Sequence, residues 1–203
     1  MSTTNSSQMH SQTDHHHSSN TKTYRNPSLT VDAIVPVRVH QSHNIDDEGS
    51  FHICLITRAR DPFKSCLAFP GGFVDYGEDP EIAVLRELEE ETHLKVSESK
   101  TLEEGRKNLQ LITVAGNPQR DPRRHTVSVV YAVKLEGPYA LRNLKADDDA
   151  ESVSFYPLSS LVKGVEYQLA FDHQMILEKF AKWFNDVGKD QEFYYEMEVD
   201  EHL

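Results

Sequence analysis

A stretch near the middle of the chain, residues 69–94, joins a pair of glycines to a short segment crowded with carboxylates. Asp79 is a residue type that caps helix N-termini, and Pro80 suits the first helical position because that position needs no N–H donor. These signals predict a helix from Pro80 to Thr92. The rest of the chain has to be accommodated around this turn and helix.

Three carboxylates of the predicted helix share one side. Glu90 and Glu91 follow Glu87 by three and four residues, so neighbouring Cβ atoms lie about 5–6 Å apart. Two carboxylates 4 Å apart repel by about 4 kcal/mol at an effective dielectric of 20, so something must offset the charge. Taken alone, the pattern is equally typical of a solvated acidic face, in which Arg86 pairs with Glu90, and of a divalent-cation site.

The glycine pair ahead of the helix favours the second interpretation. Glycine lets the backbone approach a ligand closely, which makes Gly72 a candidate for a backbone contact. Carboxylate and carbonyl oxygens are hard ligands that suit Mg²⁺ or Mn²⁺ rather than zinc. The turn and the helix together therefore predict a Mg²⁺ or Mn²⁺ site.

A basic loop, residues 119–125, lies between two predicted strands. By itself such a loop is more typical of a charged surface turn. Arg120 and Arg123 can nevertheless pair bidentately with phosphate oxygens, and His125 can donate or accept a hydrogen bond near neutral pH. A basic loop and an acidic helix in one domain suit a diphosphate ligand, and Arg58, at the end of another predicted strand, is a further candidate.

The order of strands and helices indicates the fold class. Apolar residues at helical spacing predict a second helix over residues 171–185, and residues 95–108 are expected to form a connecting strand and loop. Runs rich in β-branched residues predict strands at residues 29–37, 51–57, 111–115, 126–133 and 152–156. The run at 51–57 is nearly all apolar, which predicts burial on both faces. Strands on both sides of one helix favour an α/β fold with a mixed sheet between helices.

Length and charge narrow the function classes. The 203 residues suffice for one core, and the net charge of -12 argues against a nucleic-acid partner, because such partners are bound by clustered Lys and Arg. The sequence has no signal peptide and no long apolar run, so we expect neither signal-peptide-directed secretion nor a membrane span. Cys54 and Cys66 are expected to be reduced thiols of a cytoplasmic protein, although the sequence leaves a disulfide open.

Both ends of the chain are expected to lie outside the folded domain. Residues 1–23 are almost entirely polar, which predicts a disordered tail whose histidines are solvated. Residues 188–203 are acidic and are expected to be ordered weakly or not at all. A single domain from residue 24 to residue 187 remains.

The spacing of the central stretch resembles a family signature. Gly-x5-Glu-x7-Arg-Glu-Leu-x-Glu-Glu-x-Gly-Leu is the signature of the Nudix hydrolases, and residues 72–94 match it except that His93 stands at the closing Gly. The segments GGFVDYGE, RDPRRH and LAFDH are similar to those of Nudix members that hydrolyse ADP-ribose. Arg124 replaces the usual Gly of the second segment.

The resemblance implies an α/β/α sandwich with a mixed β-sheet and a Mg²⁺-dependent hydrolase, with Mn²⁺ as the alternative cation. The substrate implied is a nucleoside diphosphate linked to another group, foremost ADP-ribose, with AMP and ribose 5-phosphate as products. Glu87, Glu90 and Glu91 would hold the metal, Glu90 would accept the proton, and Arg86 would orient a carboxylate. The implied substrate contacts are Gly72, Arg58, Arg120, Arg123 and His125.

Several alternatives stay open at this stage. The acidic turn could supply a further carboxylate from Asp148, Asp149 or Glu151, and a loop carboxylate such as Asp149 or Glu151 could be the proton acceptor instead. His173 suits a packed side chain as well as a substrate contact. NADH, GDP-sugars, oxidised nucleotides and dinucleotide polyphosphates are rival substrates. The chain could also be a non-catalytic ADP-ribose sensor or act as a scaffold through its tails. A homodimer is compatible with the sequence.

Overall fold

The computed structural model describes residues 24–41, 49–96, 101–137, 144–147 and 150–199. The strands are β1 (Ser28–Ile34), β2 (Pro36–Gln41), β3 (Ser50–Arg58), β4 (Leu67–Ala68), β5 (Leu109–Ala115), β6 (Thr126–Val133), β7 (Ala150–Pro157) and β8 (Tyr195–Val199). The helices are α1 (Pro80–Thr92), α2 (Leu102–Gly105), α3 (Leu158–Lys163) and α4 (His173–Trp183). A 3₁₀ turn (Arg106–Asn108) follows α2, and a π-helical turn (Phe184–Gly188) follows α4.

The strands form two sheets of mixed direction. In one sheet β6 lies between β1 and β5, parallel to β1 and antiparallel to β5. In the other the order is β4-β3-β2-β8, β7 also pairs with β3, and β2 runs parallel to β8. The α/β fold with mixed strand directions is therefore confirmed, although the strands are divided between two sheets.

Two separate apolar cores pack the helices on the strands. Val84 and Leu88 of α1 pack in one core with Val31 of β1. Ile176 and Phe180 of α4 pack in the other with residues of β1 and β3. Each fully buried side chain of this kind contributes about 1.5–3 kcal/mol, so the cores hold both helices firmly on the sheets. Strand β3 contributes to both cores, which confirms its predicted burial on both faces.

The single strand predicted at residues 29–37 is wrong. Strand β1 ends at Ile34 and pairs with β6, whereas β2 begins at Pro36 and pairs with β3. Proline has no N–H to donate to a continuous ladder, so the chain passes from one sheet to the other at this point. The apolar pattern runs on without a break because both strands are buried.

The connecting strand expected within residues 95–108 is not found in the described part of that segment, residues 95–96 and 101–108. Residues 102–108 form α2 and the 3₁₀ turn instead. Arg106 ties this segment to the start of α1 through an ion pair with Asp79 at 2.6 Å. The local pattern, which has no strong helical period, does not encode this contact.

The C-terminal segment is ordered as far as residue 199, contrary to expectation. Strand β8 pairs with β2 from Tyr195 to Val199. Just before it, the Tyr194 ring meets the ring of Phe51 edge-on, with centroids 5.1 Å apart. The prediction failed because it relied on the acidic composition of the segment, whereas apolar and acidic residues alternate along this strand. Residues 1–23 and 200–203 lie outside the described residues, and the domain limits stay a prediction.

Two further features bear on the earlier expectations. Both cysteines are free, Cys54 buried and Cys66 partly buried. In the part of the chain that the structure describes, no helix is long and apolar enough to cross a membrane.

Candidate active site

The predicted carboxylate helix forms with the predicted bounds. Asp79 caps it by accepting a hydrogen bond from the Glu81 N–H at 3.0 Å, and Pro80 occupies the first turn. At the other end His93 adopts the left-handed conformation, with φ of 58°. Both ends are therefore fixed by the local sequence.

Arg86 donates hydrogen bonds to four groups of the glycine-rich turn and the helix. Its Nε and Nη2 donate to the two carboxylate oxygens of Glu78, each at 2.8 Å. Its Nη1 donates to Glu87 at 2.8 Å and to Glu90 at 3.0 Å, and its Nη2 also donates to the Phe73 carbonyl. The guanidinium therefore supplies the cation that the crowded carboxylates require, and its hydrogen bonds lower the pKa of Glu78.

Glu91 differs from Glu87 and Glu90 in its burial and its partner. Its side chain is buried, and Oε2 accepts a hydrogen bond from the Gly71 N–H at 2.9 Å. The carboxylate thus anchors the glycine turn to the helix, and it lines the neighbouring cleft. Of the three helix carboxylates, Glu91 lines the cleft, and Glu87 lies beside Gly72 of the same turn.

The two glycines are required by close approaches on opposite sides of the turn. A Cβ at Gly72 would lie 2.6 Å from the Glu87 carboxylate, and a Cβ at Gly71 would lie 2.1 Å from the Val31 carbonyl oxygen. Real Cβ atoms do not approach so closely. At Gly71 the obstacle is the backbone of β1, so a side chain there would push the turn away from β1, whereas at Gly72 it is the end of the Glu87 side chain, which would have to move.

These residues fit a hard divalent cation by chemistry. The donors of the helix are carboxylate oxygens, which Mg²⁺ and Mn²⁺ prefer, and the absence of a side chain at Gly72 leaves the Glu87 carboxylate close to the backbone. Among the residues that the structure describes, no three His, Cys, Asp or Glu side chains already converge as a metal site. Arg86 stands between Glu87 and Glu90 and, since it also pairs with Glu78, its single charge offsets only part of their negative charge.

A cleft beside the glycine turn gathers residues from both sheets and from α4. Glu91 and the two glycines line one side of the cleft, and the side chains of Phe73 and Phe171 also line it. The three arginines predicted as phosphate contacts, Arg58, Arg120 and Arg123, all line this cleft. The cleft thus brings together residues that are far apart in the sequence.

The three arginines differ in what they already bind. The Arg120 side chain is 5% exposed and donates three hydrogen bonds to the Asp172 carboxylate, at 2.8–3.1 Å. The Arg123 side chain is 39% exposed and pairs with Asp121, whose pKa its hydrogen bonds help to lower against the effect of burial. Arg58 donates to the Pro62 carbonyl and lies 5.0 Å from the Phe171 ring centroid. Arg123 is therefore more accessible than Arg120, which comes from the same loop.

His125 lies outside the cleft. Its Nε2 is 3.4 Å from the Gly116 carbonyl oxygen, across the loop between β5 and β6. Glu87, Glu90 and Arg86 also lie outside the cleft lining and form the adjacent charged group on α1.

Comparison with known proteins identifies the family. A sequence model of the NUDIX domain matches residues 42–184, which is more than half of the chain. The chain belongs to the Nudix family.

Two relatives match this chain over most of its length. The ADP-ribose pyrophosphatase of Methanocaldococcus jannaschii is 38% identical over 162 residues, which span 80% of this chain and 78% of that protein. The ADPR responsive transcriptional repressor NtrR of Acinetobacter baylyi is 34% identical over 165 residues, which span 80% of this chain but 56% of that protein.

A solved Nudix structure agrees in fold. It is the bifunctional NMN adenylyltransferase/ADP ribose pyrophosphatase of Francisella tularensis, complexed with AMP and a Mn ion. The TM-score is 0.57 at 26% identity, and the match covers 81% of this chain and 43% of that chain.

Glu78, Asp172 and Asp32 were not assigned a role from the sequence, and His173 was left open between a packed side chain and a substrate contact. Glu78 belongs to the Nudix signature, and its conspicuous spacing before Arg86 was the available signal. Asp172 and His173 belong to the LAFDH segment. Nothing in the neighbouring sequence indicates that Asp172 pairs with Arg120, 52 positions away. Asp32 is a lone carboxylate within an apolar strand, which is itself a signal, because charged side chains are rarely buried without a partner.

The acidic turn proposed as an alternative source of the proton acceptor lies near the end of the Nudix helix. The Lys145 and Asp147 N–H groups donate to the carbonyls of Thr92 and Glu91, at 3.1 and 3.2 Å. His93 Nε2 lies 3.5 Å from Asp147. Asp148 and Asp149 lie outside the described residues, and Glu151 is exposed on β7.

Proposed function

We propose that this Nudix protein is a divalent-cation-dependent pyrophosphohydrolase that converts ADP-ribose and water to AMP and ribose 5-phosphate. The cation is Mg²⁺, with Mn²⁺ as the alternative. The proposal retains the expectations of a cytoplasmic location and of a small nucleotide, not a nucleic acid, as the ligand.

The cleft is the observation that carries the proposal. It joins the glycine turn and Glu91 of the signature to the guanidinium groups of Arg58 and Arg123. A diphosphate needs cationic groups on its oxygens, and a hydrolase also needs carboxylates beside the reacting phosphorus. The 38% identity with the Methanocaldococcus ADP-ribose pyrophosphatase supports ADP-ribose as the particular substrate.

Glu87, Glu90 and Glu91 would hold the cation. When bound there, a divalent cation neutralises phosphate oxygens and makes a coordinated water more acidic. The Francisella relative, solved with AMP and a Mn ion, supports a divalent cation in this family. Arg86 keeps its two contacts to Glu78 as an anchor, which fixes where its Nη1 meets Glu87 and Glu90.

Other residues of the chain bind substrate and move the proton. Arg123 and Arg58 orient the diphosphate, and Gly72 allows its close approach to the backbone. Glu90, whose side chain is 49% exposed and reaches solvent, accepts the proton of the attacking water. Turnover then depends on holding these groups in one geometry, since misplacement by about 1 Å can cost about 10²-fold in rate.

A substrate panel tests the proposal. Purified protein is incubated with ADP-ribose, NADH, GDP-sugars, oxidised nucleoside triphosphates and dinucleotide polyphosphates, with Mg²⁺, with Mn²⁺ or with a chelator. We expect the highest kcat/KM for ADP-ribose, with AMP and ribose 5-phosphate as products and no turnover after chelation. A tenfold preference for another panel member would contradict the substrate assignment.

Sensing of ADP-ribose is the second candidate. The 34% identity with the ADPR responsive repressor of Acinetobacter favours it. Calorimetric binding of ADP-ribose combined with its recovery intact after prolonged incubation with Mg²⁺ would support the sensor. The complete carboxylate set of α1 favours the enzyme, because a sensor has no need of it.

A further inference from the structure

The charged groups beneath the cleft form one buried network. Arg120, from the loop between β5 and β6, binds Asp172 through Nε and Nη2, and Nη2 lies 3.7 Å from Asp32 of β1. Asp32 also accepts a hydrogen bond from the Ser128 hydroxyl. His173 Nε2 lies 3.5 Å from the other oxygen of Asp32. Four segments of the chain thus meet at this point.

Arg120 has little charge left for an anionic ligand. Its side chain is 5% exposed, and the two nearest carboxylates, Asp172 and Asp32, together carry more negative charge than the guanidinium can cancel. Desolvated ion pairs of this kind are strongly held, and removing one partner leaves the other charge buried and uncompensated. A phosphate arriving beside Arg120 would meet the Asp32 carboxylate as well, whereas Arg123 is 39% exposed at the mouth.

His173 connects this network to the glycine turn. Its Nδ1 accepts a hydrogen bond from the Phe69 N–H at 3.1 Å, so the ring proton is on Nε2, the nitrogen that faces Asp32. The imidazole also stacks on the Phe69 ring, with centroids 4.9 Å apart. Phe69 directly precedes Pro70-Gly71-Gly72, so α4 holds the entry of the turn.

The rest of the turn is held by β1 and α1. The Val31 and Ala33 N–H groups, on either side of Asp32, donate to the Gly72 and Pro70 carbonyls at 2.9 and 2.8 Å. The Gly71 N–H donates to Glu91. The Glu87 carboxylate lies beside Gly72, so the position of the turn sets which backbone faces that carboxylate.

From these contacts we propose that Arg120, Asp172, Asp32 and His173 are positioning residues, which set the glycine turn against the carboxylates of α1, and that Arg120 is not a phosphate contact. The inference deepens the proposed function and rests on it. It corrects the sequence-based role of Arg120 and leaves Arg123 and Arg58 to bind the diphosphate.

The kinetic test separates positioning from substrate binding. For Arg120→Met we expect kcat for ADP-ribose to fall about tenfold or more while KM changes by less than about threefold, because the interaction serves geometry and not ground-state binding. Arg120→Lys should recover little, since a lysine cannot make the bidentate pair with Asp172. Arg123→Met, from the same loop, should instead raise KM. A tenfold rise in KM with unchanged kcat for Arg120→Met would overturn the proposal.

A matched pair at His173 tests the link to the turn and does not depend on activity. Asparagine can place an oxygen where Nδ1 accepts from the Phe69 N–H, whereas glutamine reaches the position of Nε2 and leaves Phe69 without its acceptor. We expect hydrogen exchange at Phe69 and Gly71 to be near wild type in His173→Asn and at least tenfold faster in His173→Gln. kcat should follow the same order.

Equal exchange in His173→Gln, His173→Asn and wild type would overturn the positioning role. If the wild-type protein leaves ADP-ribose intact, the proposed function fails, and the exchange measurements still decide whether the network holds the turn. If the Arg120 variants do not fold, the His173 pair supplies both kcat and exchange, so the proposal remains open to refutation.

Discussion

Arg86 lies within hydrogen-bond distance of three carboxylates, and this explains how a helix with such crowded acidic residues is stable before any cation binds. The i,i+4 spacing with Glu90 suggested a single surface pair, worth a few tenths of a kcal/mol. In the structure the bidentate contact with Glu78 dominates, because Arg's planar fork matches a carboxylate. Removing Arg86 would therefore free several carboxylates at once.

The first residue-scale prediction concerns the proposed metal ligands. Glu87→Gln and Glu90→Gln should each reduce kcat for ADP-ribose by at least about 10²-fold, since a neutral amide is a poor ligand for a hard cation. Far-ultraviolet circular dichroism should stay as in wild type, because glutamine can still accept from Arg86. Full activity in both variants would refute the ligand assignment.

His93 gives a second prediction at this scale. It stands where the family signature has Gly and adopts φ of 58°, a conformation that costs a non-glycine residue about 1 kcal/mol. His93→Gly should leave kcat within about twofold of wild type, and its effect on urea stability should be within about 1 kcal/mol. A large loss of kcat would show that the contact of His93 with Asp147 serves the chemistry.

The pH dependence of stability reports on His173. Burial lowers the pKa of His173 below its ordinary value of 6.5, against the opposing effect of Asp32. Between the two pKa values the unfolded state binds more protons, so this contribution to stability is complete above pH 6.5 and is lost as the pH falls below it. The loss is at most about 1.4 kcal/mol per pH unit. Urea unfolding at pH 7 and pH 5.5 should therefore show a smaller difference for His173→Asn than for wild type, because the other histidines titrate in both proteins.

At the scale of elements, helix α1 is the part most directly specified by local signals. Its cap, its proline and its left-handed end coincide with the predicted bounds. Strands β5, β6 and β7 also lie where the alternating runs predicted them, within a few residues at their ends. The split between β1 and β2 was not predicted, because both parts are buried and their apolar pattern is continuous.

Strand β8 carries the prediction for this scale. Tyr194→Ala removes edge contacts with Phe51 and Phe184, at centroid distances of 5.1 and 6.2 Å, and should lower the free energy of unfolding by about 1–3 kcal/mol. Tyr194 directly precedes β8, and Glu198→Ala within β8 is the control, because its side chain is exposed and should change stability by less than about 0.5 kcal/mol. Equal urea midpoints for the two variants would mean that the ring contacts of Tyr194 add nothing to stability.

For the molecule as a whole, the cleft depends on both sheets and on α4 at once. Arg58 comes from one sheet, Asp32 from the other, and His173 from α4. A ligand that binds the native state alone stabilises every one of these elements together. Its effect is therefore visible as a single shift in global unfolding.

Cation binding gives the prediction for this scale. Mg²⁺ at a hundredfold excess over its Kd should stabilise the native state by about 2.7 kcal/mol and raise Tm. The double variant Glu87→Gln/Glu90→Gln should show little of this shift. K⁺ at matched ionic strength is the control for charge screening. An equal rise in Tm for the variant and the wild type would place the effect elsewhere in this acidic chain.

The sequence by itself determined the turn and helix, most of the strands and the family, because these depend on contacts within a few residues or on fixed spacing. Residues 69–94 contain the cap, the glycines and the carboxylates together, so no distant partner is needed to recognise them. The candidate arginines were also found from the sequence, since their chemistry suits phosphate wherever the loop lies.

Only the tertiary structure decided what each charged group faces. The bond from Arg120 to Asp172 joins residues 52 positions apart, and the contact from His173 to Phe69 joins residues 104 positions apart. No local pattern encodes such pairings, because they arise where the loop, β1 and α4 converge. The same glycine turn that the sequence marks as a ligand contact is, in the folded chain, held by β1, α1 and α4 with no room for a side chain.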